Sequence, residues 1–97
     1  MQKIIDRFIS YISIDTQSDP NNPEFPSTDK QWELARLLAK ELKDIGMHEV
    51  ELDENCYIMA TLPSNVKYSV PTIGFVAHID TSPDYTGTNI NPQIIKD

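Results

Sequence analysis

The segment "VPTIGFVAHID", Val70 to Asp80, places the hardest constraint on any fold this chain can adopt. Read with a period of two, Ile73, Phe75 and Ala77 share one face and Gly74, Val76 and His78 share the other. Neither face turns polar until His78. A strand of this kind has to be covered on both sides, as in a sheet buried between two layers. Pro71 stands just before it, where a missing backbone N–H is tolerated.

The segments upstream supply candidate covers. Gln2 to about Ser13 places Ile4, Ile5, Phe8, Ile9 and Ile12 on one helical face, with Lys3, Asp6, Arg7 and Ser10 opposite. This predicts a helix lying over a core. "DTQSDPNNPEFPST", Asp15 to Thr28, has three prolines and no apolar period, so it reads as a loop of unusual length. A second helix follows in "STDKQWELARLLAKELKDIG". Ser27 or Thr28 is its expected N-cap, with Thr28 and Gln31 at capping-box spacing. Its apolar stripe is Trp32, Ala35, Leu38, Ala39, Leu42 and Ile45, widened by Leu34 and Leu37, and Gly46 suits the left-handed residue after its end. Val50 and Leu52 alternate with Glu49 and Glu51, "DEN" is turn material, and Tyr57 to Leu62 forms the return strand. Helix, loop, helix, hairpin and buried strand together predict an α/β layered domain. There is no internal repeat, no low-complexity tract and no interdomain linker.

Composition narrows the function classes. The chain is long enough for one small domain. Eight basic against fifteen acidic residues give a net charge of −7, which disfavours nucleic acid and anionic membrane surfaces. No run approaches the ~18 apolar residues of a membrane span, and the N-terminus lacks a signal-peptide pattern. Mean hydropathy is −0.39. Cys56 is the single cysteine, so no internal disulfide can form. A soluble cytoplasmic protein is expected. Three glycines are too few for a phosphate loop or a dinucleotide fingerprint, and no G-x-S-x-G elbow accompanies the available Ser, His and Asp residues.

What remains is the strand's end, "HIDTSPD". Residues i and i+2 of a strand point the same way, so His78 and Asp80 project together. The carboxyl ends of sheet strands are where open α/β folds bind ligands. Histidine ligates zinc, and a carboxylate on its other nitrogen fixes the tautomer. The competing reading is a satisfied strand-end histidine, with Asp80 capping the following turn. His48 has Glu49 and Glu51 nearby but reads as an exposed strand-edge histidine, and Cys56 as an ordinary free thiol.

Longer stretches carry more than spacing does. "RFISYISIDTQS", "PSTDKQWELARLLAKELKDIG", "IMATLPSN", "IGFVAHIDTSPD" and "NINPQII" resemble, in register, the start of the peptidase T family. These are dinuclear zinc aminopeptidases of the bacterial cytoplasm, related to aminoacylases and some carboxypeptidases. The resemblance implies that residues 1–97 are the N-terminal portion of a three-layer αβα catalytic domain. It implies His78 as the first zinc ligand and Asp80 as the residue orienting it. It assigns no role to "DTQS" or to Thr81, Ser82, Pro83 and Asp84. The bridging aspartate, the glutamate base, further ligands, a second histidine and a lid or dimerisation domain are then expected beyond Asp97. The implied substrates are tripeptides with a free N-terminus, cut by zinc-activated water, and the lid domain often mediates homodimerisation in this superfamily. The 97 residues alone are expected to be inactive, to hold zinc weakly, and to self-associate through an uncovered apolar face. Two alternatives stay open: a non-catalytic α/β interaction module, and a related zinc dipeptidase or deacylase.

Overall fold

The computed structural model describes residues 2–97. Helix α1 runs Gln2–Ile12 and helix α2 Gln31–Asp44; strand β1 is His48–Leu52 and strand β2 Ile58–Thr61. The strands pair antiparallel, and α2 packs across both. The core is small. It centres on Leu34, Ala35 and Ala39 of α2 together with Cys56, and among the described residues no large side chain is fully buried.

The ends of α2 show how local sequence sets its bounds. Gly46 sits at φ +91°, the Met47 N–H reaches the Leu42 carbonyl, and the Gly46 N–H reaches the Lys43 carbonyl. That is a Schellman ending, with glycine at the left-handed position. The start differs from expectation. The residue at the N-cap position is Lys30, without a side-chain cap. Residues 31–33 instead bond back three residues, to the carbonyls of Thr28, Asp29 and Lys30. Neither Ser27 nor Thr28 caps the helix, which starts only at Gln31, and both hydroxyls bond into the preceding loop. Thr28 Oγ1 donates to the Gln17 carbonyl at 2.9 Å, and Ser27 Oγ accepts the Asp19 N–H at 3.0 Å. The Thr28–Gln31 pair does meet, side chain to side chain, at 2.9 Å.

The hairpin turns on Asp53. Its Oδ1 accepts the backbone N–H groups of Asn55 and Tyr57, and its own N–H bonds to the Tyr57 carbonyl. The register pairs Leu52 with Ile58 and His48 with Thr61, with an irregularity between His48 and Glu51 where Glu49 adopts φ +51°. One extra residue on β1 absorbs the slip, as in a β-bulge. His48 is exposed, and Cys56 is free and buried. Burial, and then the neighbouring Asp53 carboxylate, push the Cys56 thiol up from its ordinary range.

Two expectations fail. The α1 helix forms as predicted, yet it covers little, with Ile4 and Phe8 largely exposed. Its recorded ties to α2 are polar: Tyr11 Oη donates to the Glu41 carboxylate, and Arg7 Nε stands 3.7 Å from Glu41 Oε2. Burial and that carboxylate raise the Tyr11 phenol to about 12. The larger failure is the buried strand. Among the described residues, 62–97 form no helix or strand, and Phe75 and Val76 are 96% and 99% exposed. A strand closes its backbone hydrogen bonds only against another strand. None of the described residues lies beside 72–80 in a ladder. The expected uncovered apolar surface is therefore present. The radius of gyration is 16.1 Å, against about 13 Å for a compact chain of ~100 residues.

Candidate metal-ligand site

His78 and Asp80 come together even though the strand does not form. His78 Nδ1 lies 2.9 Å from Asp80 Oδ1. A carboxylate only accepts, so Nδ1 carries a hydrogen, and in the neutral ring the lone pair then falls on Nε2. The imidazole is 83% exposed and the Asp80 side chain 44%. The pair thus presents a ring nitrogen oriented from behind and open on its other side.

The segment Val76–Asp80 separates two open clefts. One, of about 780 Å³, runs along the Asn22–Ser27 loop and the Asn55–Met59 side of the hairpin. The other, of about 730 Å³, is lined by Tyr11, Ile14, Leu34 and Leu38 and by Tyr85 to Gly87. Ala77 to Asp80 line both spaces, whereas Ile73, Gly74 and Phe75 line neither.

Directly after Asp80 the chain is moored. Thr81 makes a parallel bridge with Gln17: its N–H donates to the Thr16 carbonyl, and its carbonyl accepts the Ser18 N–H, each at 3.0 Å. Ser18 Oγ adds a bond to the same carbonyl at 2.9 Å, and Gln17 Nε2 reaches the Pro83 carbonyl at 2.9 Å. Thr16 is 3% exposed. Beneath this strap, Asp15 Oδ1 accepts the Gln17 N–H, and Asp15 Oδ2 pairs with Lys30 Nζ at 2.8 Å. The lysine, and then the Gln17 N–H, hold the Asp15 carboxyl below its ordinary range. Gly87 packs directly on this carboxylate; a Cβ there would overlap Asp15 Oδ1.

The donor set fits one corner of a metal centre. His78 offers one nitrogen, and Asp80 supplies the orienting acceptor that ligand histidines usually have. A catalytic zinc takes about three protein ligands, and among the described residues no cluster of three His, Cys, Asp or Glu side chains stands ready. Sequence reading found the pair but missed the strap. "DTQS" carries no local signal of this role, because its partner lies more than sixty residues further on.

No protein-family model matches the chain. Among curated proteins it is 61% identical over 95 residues to a peptidase T of Geobacillus thermodenitrificans, covering 98% of this chain. It is 58% identical over 97 residues to that of Aliivibrio salmonicida and 56% over 96 residues to that of Halothermothrix orenii. The chain spans 23 to 24% of the length of these relatives.

Proposed function

We propose that this chain, a member of the peptidase T family over nearly its whole length, is the N-terminal part of the catalytic domain of a zinc-dependent tripeptide aminopeptidase. The observation that carries the reading is the His78–Asp80 pair, with Nδ1 engaged at 2.9 Å and the other ring nitrogen open. The extent of identity to peptidase T weighs against a non-catalytic interaction module.

In this reading His78 would hold one of two zinc ions through Nε2. Asp80 accepts the Nδ1 hydrogen, which fixes the ligating tautomer and makes the imidazole a better donor. A bound zinc supplies Lewis-acid activation of water and of the scissile carbonyl. The other ligands, the general base and any lid or dimerisation domain belong to the part of the longer protein outside these 97 residues. This chain's contribution is to hold one ligand in orientation at the mouth between two clefts. The acidic surface and the absence of any helix long and apolar enough to cross a membrane, among the described residues, accord with a cytoplasmic enzyme acting on small peptides.

The test uses the protein of the uninterrupted reading frame, supplied with zinc, on an unblocked tripeptide and its N-acetylated twin. Release of the first residue from the free-amine peptide alone supports the aminopeptidase. Cleavage of the acetylated peptide alone would move the reading to a deacylase, and cleavage of neither would reject both. In the same protein Asp80→Ala lowers activity about 10–100-fold, the usual effect of removing a carboxylate behind a ligand histidine. Near-wild-type turnover would remove Asp80 from the site.

A further inference from the structure

The segment that carries His78 and Asp80 is attached to the rest of the molecule in a narrow zone. Among the described residues, the backbone–backbone hydrogen bonds from 62–97 to the first 61 residues are the two made by Thr81. The side-chain bonds between the two parts come from Gln17 and Ser18. The attachment begins one residue after Asp80, so it sets where the Asp80 carboxylate stands.

Gln17, the partner of Thr81 in the bridge, does not use its own backbone groups for that bridge. Both are gripped from behind by side chains. Asp15 Oδ1 accepts its N–H at 3.0 Å, and Thr28 Oγ1 donates to its carbonyl at 2.9 Å. Asp15 is itself pinned by Lys30, just before α2, and Thr28 stands two residues earlier still. The entry to α2 is therefore coupled through Gln17 to Thr81 and to the residue before it.

We propose that Thr28 and Asp15 position the His78–Asp80 pair by gripping Gln17, and so determine how well His78 is presented to a metal. The inference rests on the metal-ligand reading of that pair and adds two residues to it, neither of which touches the metal or the substrate. Loss of either grip lets the Thr16–Ser18 strap shift. Asp80 then leaves the geometry in which it holds the Nδ1 hydrogen.

The experiment uses the full-length enzyme and two readouts: zinc affinity from competition with a chromophoric chelator, and kcat/KM on a tripeptide. Thr28→Val and Asp15→Ala are expected to weaken zinc binding about 10-fold, the low end of the range for residues supporting a ligand. Thr28→Ser, which keeps the hydroxyl, restores it. The decisive comparison repeats Thr28→Val in an Asp80→Ala background, where less than about 2-fold further loss is expected, because coupled residues are non-additive. An equal loss in both backgrounds would show a general structural effect and overturn the proposal, as would wild-type zinc affinity in Thr28→Val. Should Thr28→Val fail to fold, Asp15→Ala, which removes the acceptor of the Gln17 N–H, carries the same comparison in the wild-type and Asp80→Ala backgrounds. Wild-type zinc affinity in both His78→Ala and Asp80→Ala would instead overturn the metal reading of the pair itself.

Discussion

Up to Thr61 the chain builds its elements from neighbours in sequence; from Leu62 onward it builds none. The first region has two helices and a hairpin, whose hydrogen bonds close within each element or across a five-residue turn. The second region is the more apolar along 72–79, yet it stays irregular and exposed. Hydrophobicity therefore does not decide the difference. A helix satisfies its own backbone, and a hairpin needs one adjacent partner, but a central strand needs partners on both edges and cover on both faces.

Substitutions of large apolar residues should separate the regions most. Leu34 is 7% exposed on α2, and Leu34→Ala is expected to cost about 2–5 kcal/mol, toward the lower end because the core is small. Phe75→Ala in the 97-residue chain should stay within about 0.5 kcal/mol, as for exposed positions. In the full-length protein, where the proposed domain covers that face, the same change should cost about 3–5 kcal/mol. Urea unfolding of both variants in both lengths of protein checks this. Equal losses in the 97-residue chain would mean that 72–80 is already packed, and the contrast would fail.

The same division explains what the sequence made legible. Helix α2, its Gly46 ending and the hairpin turn at Asp53 were readable because each signal lies within a few residues of what it controls. The His78–Asp80 pair was readable because i and i+2 meet whenever the backbone is locally extended. Cover for Ile73, Phe75 and Val76 was not readable as present or absent, since it depends on residues far along the chain. Thr28 misled for a related reason. Its spacing with Gln31 does bring the two side chains together, but the helix starts later, at Gln31, and the hydroxyl's hydrogen goes to Gln17, eleven residues earlier, in the strap that holds the candidate site.

Glycines give a finer form of the comparison. A methyl group added at Gly46 or at Gly74 meets nothing within 4 Å, so packing is equal at the two sites. Only Gly46 holds a left-handed φ, +91°. Gly46→Ala should therefore cost about 1–2 kcal/mol from backbone strain. Gly74→Ala in the 97-residue chain should be neutral to within about 0.5 kcal/mol. Chemical denaturation of the two variants measures the difference. A neutral Gly46→Ala would show that the Schellman ending is dispensable.

The smallest expected effect lies where the regions touch, at Asp15. Its carboxyl is held below the ordinary value of 3.8, first by the Lys30 hydrogen bond and then by the Gln17 N–H. A depressed folded-state pKa means that the unfolded chain binds the proton first as pH falls. The stabilisation is thus fully present above 3.8 and is lost as pH drops through the lower folded value. Both side chains are partly exposed, 21% for Asp15 and 38% for Lys30, so solvent screening limits the pair to about 1 kcal/mol or less. Comparing urea midpoints of the wild-type chain and Asp15→Asn across pH should show a small gap at neutrality that closes in acid. Salt should narrow the gap as well. The absence of any gap at neutrality would assign the stabilisation to the Gln17 N–H alone, which an asparagine oxygen can still accept. The strap would then be held by hydrogen bonding without help from the Lys30 charge.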